Sequence, residues 1–188
     1  MLAFHGDKAI KSKYLRRVVA HRRADELIRG VGWEDGRGCA VGCTLNQYSH
    51  SQYQIELGIP EVIAHLEDNL FESLPEKLAM TWPSRFLRAI PVGADLSMVW
   101  CRFSLWLLTD GLPKRSRHIA ADMAALFRRR IASDDPTPAE WDRAAEAATA
   151  AWAAEAARAV RAAWAAERQS KKLLELLRAA PVEKAEGK

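Results

Sequence analysis

Apolar residues recur along this chain with a period near 3.6, and the breaks in that rhythm fall at glycine and proline. Lys8 to Arg29 predicts a first helix closed by Gly30. At about 100° per residue, Ile10, Tyr14, Val18 and Ile28 share one arc, and His21 and Asp25 fall inside it. Two polar side chains one turn apart on the inward face are the sharpest local anomaly. Ser49 or Ser51 caps a short helix that ends at Gly58. Pro60 opens the next, Glu61 to Leu74, with Val62, Ile63, Leu66, Leu70 and Leu74 on its apolar face. Glu61, His65, Asp68 and Glu72 line the other face. Pro75 and Pro83 open two more short helices, the second ending near Ile90-Pro91.

Asp95 to Leu108 is apolar nearly all round, the pattern of a central helix buried on most sides. Its charge past the first turn is Arg102, for which burial would demand a carboxylate partner or an anionic ligand. Arg117 to Ile131 is a further helix, rich in arginine at its C-terminal end. After the linker 133–136, Thr137-Pro138-Ala139-Glu140 is a strong helix start, with a threonine cap and a glutamate three residues on. That helix is expected to run to Ala180, about 65 Å at 1.5 Å per residue. Trp141 and Trp152 share a face, Trp164 points elsewhere, and Leu173, Leu174, Leu176 and Leu177 add a second apolar patch. Two contact surfaces follow, one against the chain's own N-terminal part and one against a second subunit or protein partner through 138–178. Residues 181–188 read as a flexible tail.

The pattern thus predicts an all-α fold. A multi-helix domain (1–132) forms around a buried central helix (95–108), and a long Ala/Trp-rich helix (133–180) follows. No strand alternation is evident, so 30–48 reads as a long irregular connection. Loops of that length are more often functional than idle. This one carries Gly36-Arg37-Gly38-Cys39-Ala40-Val41-Gly42-Cys43-Thr44, two of the three cysteines among three glycines.

Composition changes the picture little. A net charge of +4 permits an acidic partner without demanding nucleic acid. No apolar run reaches membrane-spanning length. Three cysteines make no disulfide framework, which points to a reducing, cytoplasmic setting.

Candidate chemistry gathers at His21, Asp25, Cys39 and Cys43. One reading is a nucleophilic site, the imidazole activating a thiol and the aspartate orienting the ring. A second is a zinc site of two thiolates, an imidazole and a carboxylate, although Cys-x3-Cys is not a standard zinc spacing. The plain structural alternative has His21 and Asp25 pinning the glycine loop while the cysteines pack. Arg102 joins these four as a candidate ligand-binding residue. The row Glu61, His65, Asp68, Glu72 reads as a solvated or ion-paired face ahead of a cation site. The basic first helix with Arg128 to Arg130 is a weak nucleic-acid candidate, diluted by nearby acids.

Gly38-Cys39-Ala40-Val41-Gly42-Cys43-Thr44, Leu57-Gly58-Ile59-Pro60, Leu66-Glu67-Asp68, Phe71-Glu72-Ser73-Leu74-Pro75 and Gly93-Ala94-Asp95-Leu96-Ser97 resemble an uncharacterised family of hypothetical bacterial and phage-associated proteins. The resemblance covers roughly the first 110 residues, a length typical of one domain. It implies a setting and no reaction. With no complete catalytic motif in the chain, the expected function is a helical binding or adaptor protein with its site at the Gly/Cys loop. The rivals are a small enzyme or metal protein centred on Cys39/Cys43 and His21/Asp25, and a weak nucleic-acid binder.

Overall fold

The computed structural model describes residues 1–155 and 162–182, without the side chains of Arg115, 150–155 and 162–165. Helix dominates it. After a 3-10 turn at Ala3–Gly6, the first helix, α1 (Lys8–Arg23), starts where the Asp7 carboxylate accepts from the Ala9 N–H at 2.6 Å. It buries Tyr14 and Val18 and stops at Arg23. The expected extension to Arg29 is not made, because Asp25 turns the chain with a left-handed φ of 54°.

The segment predicted as an irregular 30–48 loop holds two small elements. Trp33–Glu34 (β1) pairs antiparallel with Arg37–Gly38 (β2), and Ala40–Leu45 (α2) is a fully buried helix. Strands of two residues show no alternation, so the period-2 test could not register them. Next come α3 (His50–Leu57) and α4 (Glu61–Ser73), joined at Gly58. Gly58 has φ +63° and lies under the Leu2 carbonyl, so a Cβ there is both strained and blocked. The prolines act as punctuation: Pro75 precedes α5 (Glu76–Ala79), and Pro83 sits in the first turn of α6 (Trp82–Ala89).

The helix at the centre is α4. It buries Ile63, Ala64, Leu66, Glu67, Asp68, Leu70 and Phe71, and packs on α2, α3, α6, the helix at 99–106 and the C-terminal helix. The expected central helix, 95–108, is a peripheral one. Asp95 accepts from the Ser97 N–H and hydroxyl, which delays α7 to Val99–Trp106. A π-helical turn, Leu107–Gly111, follows. Of α7 only Val99, Phe103 and Ser104 are buried, while Trp100 is 36% exposed and Arg102 lies in solvent. The buried arginine expected at 102 is therefore not found.

A further helix, α8 (Ala121–Ile131), leads into α9 (Pro138–Glu155). The start predicted at Thr137 forms as a reciprocal capping box: Glu140 accepts from the Thr137 N–H at 2.8 Å, and the Thr137 hydroxyl oxygen accepts from the Glu140 N–H at 3.4 Å. Trp141 packs edge-on against Phe127 of α8, ring centroids 4.8 Å apart. The last helix, α10 (Ala162–Arg178), inserts Leu173, Leu174 and Leu177 into the core at 0–2% exposure. It therefore belongs to the same core as the N-terminal elements and is no appendage. Trp152, Trp164, the expected continuity through 156–161 and the tail beyond Val182 lie outside the described residues or side chains.

Residues 93–95 fasten the two ends. Ala3 N–H donates to the Ala94 carbonyl, Gly93 N–H to the Ala3 carbonyl, and Asp95 N–H to the Pro181 carbonyl, all at 2.7–2.9 Å. Among the described residues no helix is long and apolar enough to cross a membrane.

Leu177 is fully buried in the seam between α10 and the rest of the core. Leu177→Ala is expected to destabilise the whole chain by about 2–5 kcal/mol. Urea denaturation followed by helix signal and by tryptophan fluorescence checks this. An unchanged midpoint would mean that α10 contributes nothing to the fold.

Candidate functional site

The glycine-cysteine segment is built by close backbone approach. The Gly32 carbonyl lies directly against Gly38 and Gly42, and a Cβ at either position would collide with it. The Tyr48 ring covers Gly32 in turn. Cys39 caps α2: its backbone N–H donates to the Val31 carbonyl at 2.8 Å, and its sulfur accepts from the Gly42 N–H at 3.5 Å. Cys43 donates its thiol to the Gly38 carbonyl at 3.3 Å.

Both cysteines are buried, at 1% and 0% exposure. Burial pushes the Cys39 thiol well above its ordinary range, and the facing Asp68 carboxylate adds to the shift. Burial also pushes Cys43 up to about 12, with the Glu26 carboxylate contributing. These are protonated, packed thiols, the opposite of what a nucleophile or a thiolate ligand needs. Among the described residues no group of three or more His, Cys, Asp and Glu side chains is placed to hold a metal ion.

The histidine partner is Glu26, and not the Asp25 read from the sequence. His21 Nδ1 lies 2.6 Å from Glu26 Oε2, and Nε2 lies 2.9 Å from Asn46 Oδ1. Trp33 meets the ring edge-on at 5.4 Å. Asp25 is exposed, and its bonds are backbone ones: its N–H donates to the Arg22 carbonyl and its carbonyl accepts from Arg37, each at 3.4 Å. The i, i+4 argument failed because α1 ends at Arg23 and Asp25 lies beyond it, turned outward. His21 thus clasps the 24–38 loop to the end of α2. The four expected residues do not converge on one point. His21, Glu26 and Cys43 lie together, Cys39 faces Asp68, and Arg102 is on a different helix.

A second cluster, which the helical pattern alone spreads over a solvated face, gathers on α4. Glu67 is fully buried and Asp68 is 8% exposed. The Tyr53 hydroxyl donates to Glu67 Oε2 at 2.6 Å. The Tyr48 hydroxyl donates to Asp68 Oδ2 at 3.0 Å, and His50 Nε2 lies 3.1 Å from the same oxygen. His50 stacks on His65 with ring centroids 3.8 Å apart, and His65 Nε2 lies 3.7 Å from Glu61. Glu72 accepts from the Gly30 N–H at 2.9 Å and ties the loop to the same helix. Glu67 Oε1 and Asp68 Oδ1 are buried without a hydrogen-bond partner. Sequence reasoning missed Tyr48, His50, Tyr53 and Glu67. Glu67 had a signal, since it lies four residues from both Ile63 and Phe71 and so on the apolar arc.

Burial raises the Glu67 carboxyl well above its usual value, with the Tyr53 hydroxyl pulling the other way and Asp68 adding to the rise. The enclosure of Glu67 thus favours its protonated form. An imidazole backed by a carboxylate, as in His50–Asp68, can carry a proton. Among the described residues, however, no hydroxyl or thiol is bonded to the second nitrogen of His50.

A shallow cleft of about 310 Å³ lies between α8 and α9, lined by Asp122, Leu126, Arg129, Glu140 and Arg143 among others. It is made by different elements from the cysteines and α4. Its Arg129 is already held by Asp134 and Glu140, and neighbouring Arg130 by Asp135.

No protein-family model matches the chain, and no curated protein or solved structure matches it significantly. Function must therefore be read from the chemistry of the residues themselves.

Two outcomes follow. Gly42→Ala gains helix propensity but drives a methyl group into the Gly32 carbonyl, so a net loss of about 1–3 kcal/mol is expected in thermal denaturation. For Glu67, the folded-state pKa is raised, so its share of stability is full below the ordinary value of 4.5 and is lost as pH climbs toward the folded value. Glu67→Gln should flatten that fall and raise the melting temperature at pH 8 by about 2–4 °C per kcal/mol gained. An identical pH profile in wild type and variant would show that Glu67 titrates normally.

Proposed function

We propose that the chain is a helical binding module, an adaptor without a reaction of its own. Its partner docks where the 46–50 turn crosses α4. The observation that carries this reading is Asp68. Its carboxylate lies at the rim of the fold, with Oδ2 held by Tyr48 and His50 and the group's inner side facing the sealed Cys39. Asp68 keeps 8% exposure at the edge of this cluster, where a docked N–H group can add to the two partners that Oδ2 already has. Half-exposed Tyr48, with exposed His65, Glu61 and Glu72 around it, supplies the rim. The rim is acidic and aromatic, which suits a cationic peptide segment. The sealed, protonated state of Cys39 and Cys43 supports the adaptor over the cysteine enzyme or zinc protein. An adaptor role also fits the phage-associated setting that the sequence resemblance implies.

The test is an NMR titration of labelled protein with an arginine-rich peptide and with a glutamate-rich one. Saturating shifts confined to residues 46–50 and 61–72 are expected with the first peptide only. Asp68→Asn should weaken that binding by about tenfold or more, the worth of a charge-assisted hydrogen bond. Shifts elsewhere, or none, would sink the reading. Native-state thiol labelling is the companion measurement: Cys39 or Cys43 reacting as fast as free cysteine would restore the enzyme alternative.

A further inference from the structure

A second surface, apart from the one above, carries charge of the opposite sign. Helix α1 holds seven Lys or Arg residues and α6 holds two, and neither helix contains an acidic residue. The two helices pack side by side, and Lys11 of α1 donates to the Arg88 and Ile90 carbonyls at the end of α6. Lys8, Arg16, Arg22, Arg23 and Arg88 are exposed and Arg85 is half-buried. Among the described residues none of these six takes part in an ion pair. Arg128 to Arg130, which the sequence grouped with them, belong elsewhere: Arg129 and Arg130 are neutralised on α8. Acids approach α1 at its ends, Asp7 capping its start and Glu26 bonded to His21, while α1 and α6 themselves carry none.

We infer that the α1–α6 face binds the phosphate backbone of double-stranded nucleic acid without reading its sequence. The face is cationic and not amphipathic. The exposed large apolar residues, Met1, Tyr48, Ile55, Val62, Trp100 and Val182, include none from α1 or α6. A membrane-surface helix needs such residues to enter the acyl boundary, and a protein interface needs them as buried anchors. Single strands are held largely by stacking on exposed aromatics, which this face lacks. Phosphates need only cations, and arginine presents the planar fork that grips them in pairs. The 16 residues of α1 extend about 24 Å, enough to follow several phosphates along one strand.

The experiment is fluorescence anisotropy of a labelled 20-base-pair duplex of arbitrary sequence with the full chain, over roughly 50–200 mM salt. Binding should weaken steeply with salt and be indifferent to base composition. Arg16→Gln, Arg22→Gln, Arg85→Gln and Arg88→Gln combined should weaken it by roughly tenfold or more, with the log–log salt slope falling by about 0.9 for each phosphate no longer neutralised. The matching four lysine substitutions keep the charge and should stay within about threefold of wild type. Should the glutamine variant lose its helical signal, Arg16→Gln and Arg88→Gln are read singly by their salt slopes. No binding at the lowest salt overturns the inference. So does a glutamine variant that binds like wild type, or equal affinity for poly-glutamate or for anionic vesicles.

Discussion

The Gly32 carbonyl occupies the space where side chains of residues 38 and 42 would begin, and the layering of the N-terminal half follows from that contact. With the carbonyl seated there, the β1–β2 hairpin lies flat on α2. Cys39 N–H then reaches the Val31 carbonyl, Trp33 meets the edge of His21, and Tyr48 closes over Gly32. The cysteines are sealed as a by-product. Their thiols face carbonyls and a carboxylate, which stabilise S–H and penalise S⁻. Glycine at 38 and 42 is thus a requirement of packing, since a backbone at van der Waals distance leaves no room for a methyl group.

Beneath that layer, α4 carries two adjacent acids into the interior. Ionising both would be costly in so apolar a place. The fold separates their environments. Glu67 is enclosed by Tyr53 and core residues, which favours its protonated form, while Asp68 sits at the edge with two partners and some access to water. The two residues are consecutive in sequence and chemically unlike. Helix α1, by contrast, commits Arg17 to the Thr44 carbonyl, Lys11 to the end of α6 and Lys13 to the Tyr14 hydroxyl, while Lys8, Arg16, Arg22 and Arg23 stay exposed.

Much of the helix inventory was legible because it rests on local signals. Proline before α4 and α5, Gly58 after α3 and the Thr137–Glu140 box all act within one turn. What misled was inference from periodicity past a helix end. Asp25 was placed on a turn of α1 that does not exist, whereas Glu26, one residue on, reaches His21 through the loop. Hydrophobicity misled in the same way at 95–108. An all-apolar run says that a helix has faces to bury, but not that this chain buries them, and α7 leaves Trp100 and Arg102 outward. The Tyr48–His50–Asp68 cluster joins residues about twenty apart across two helices, a relation that no single-helix pattern encodes.

The stitch at residues 93–95 sets an order of assembly. Residues 2 and 3 find their partners at 94 and 95, and residue 95 also finds one at 181. During synthesis, the N-terminal segment must wait for half of the chain, and the middle segment must wait for α10. Closing such separations is slow compared with forming the helices between them. Until α10 docks, the Asp95 N–H lacks its Pro181 acceptor and the core lacks Leu173, Leu174 and Leu177, which leaves apolar surface uncovered. Docking of α10 is therefore the step that closes the core over this surface.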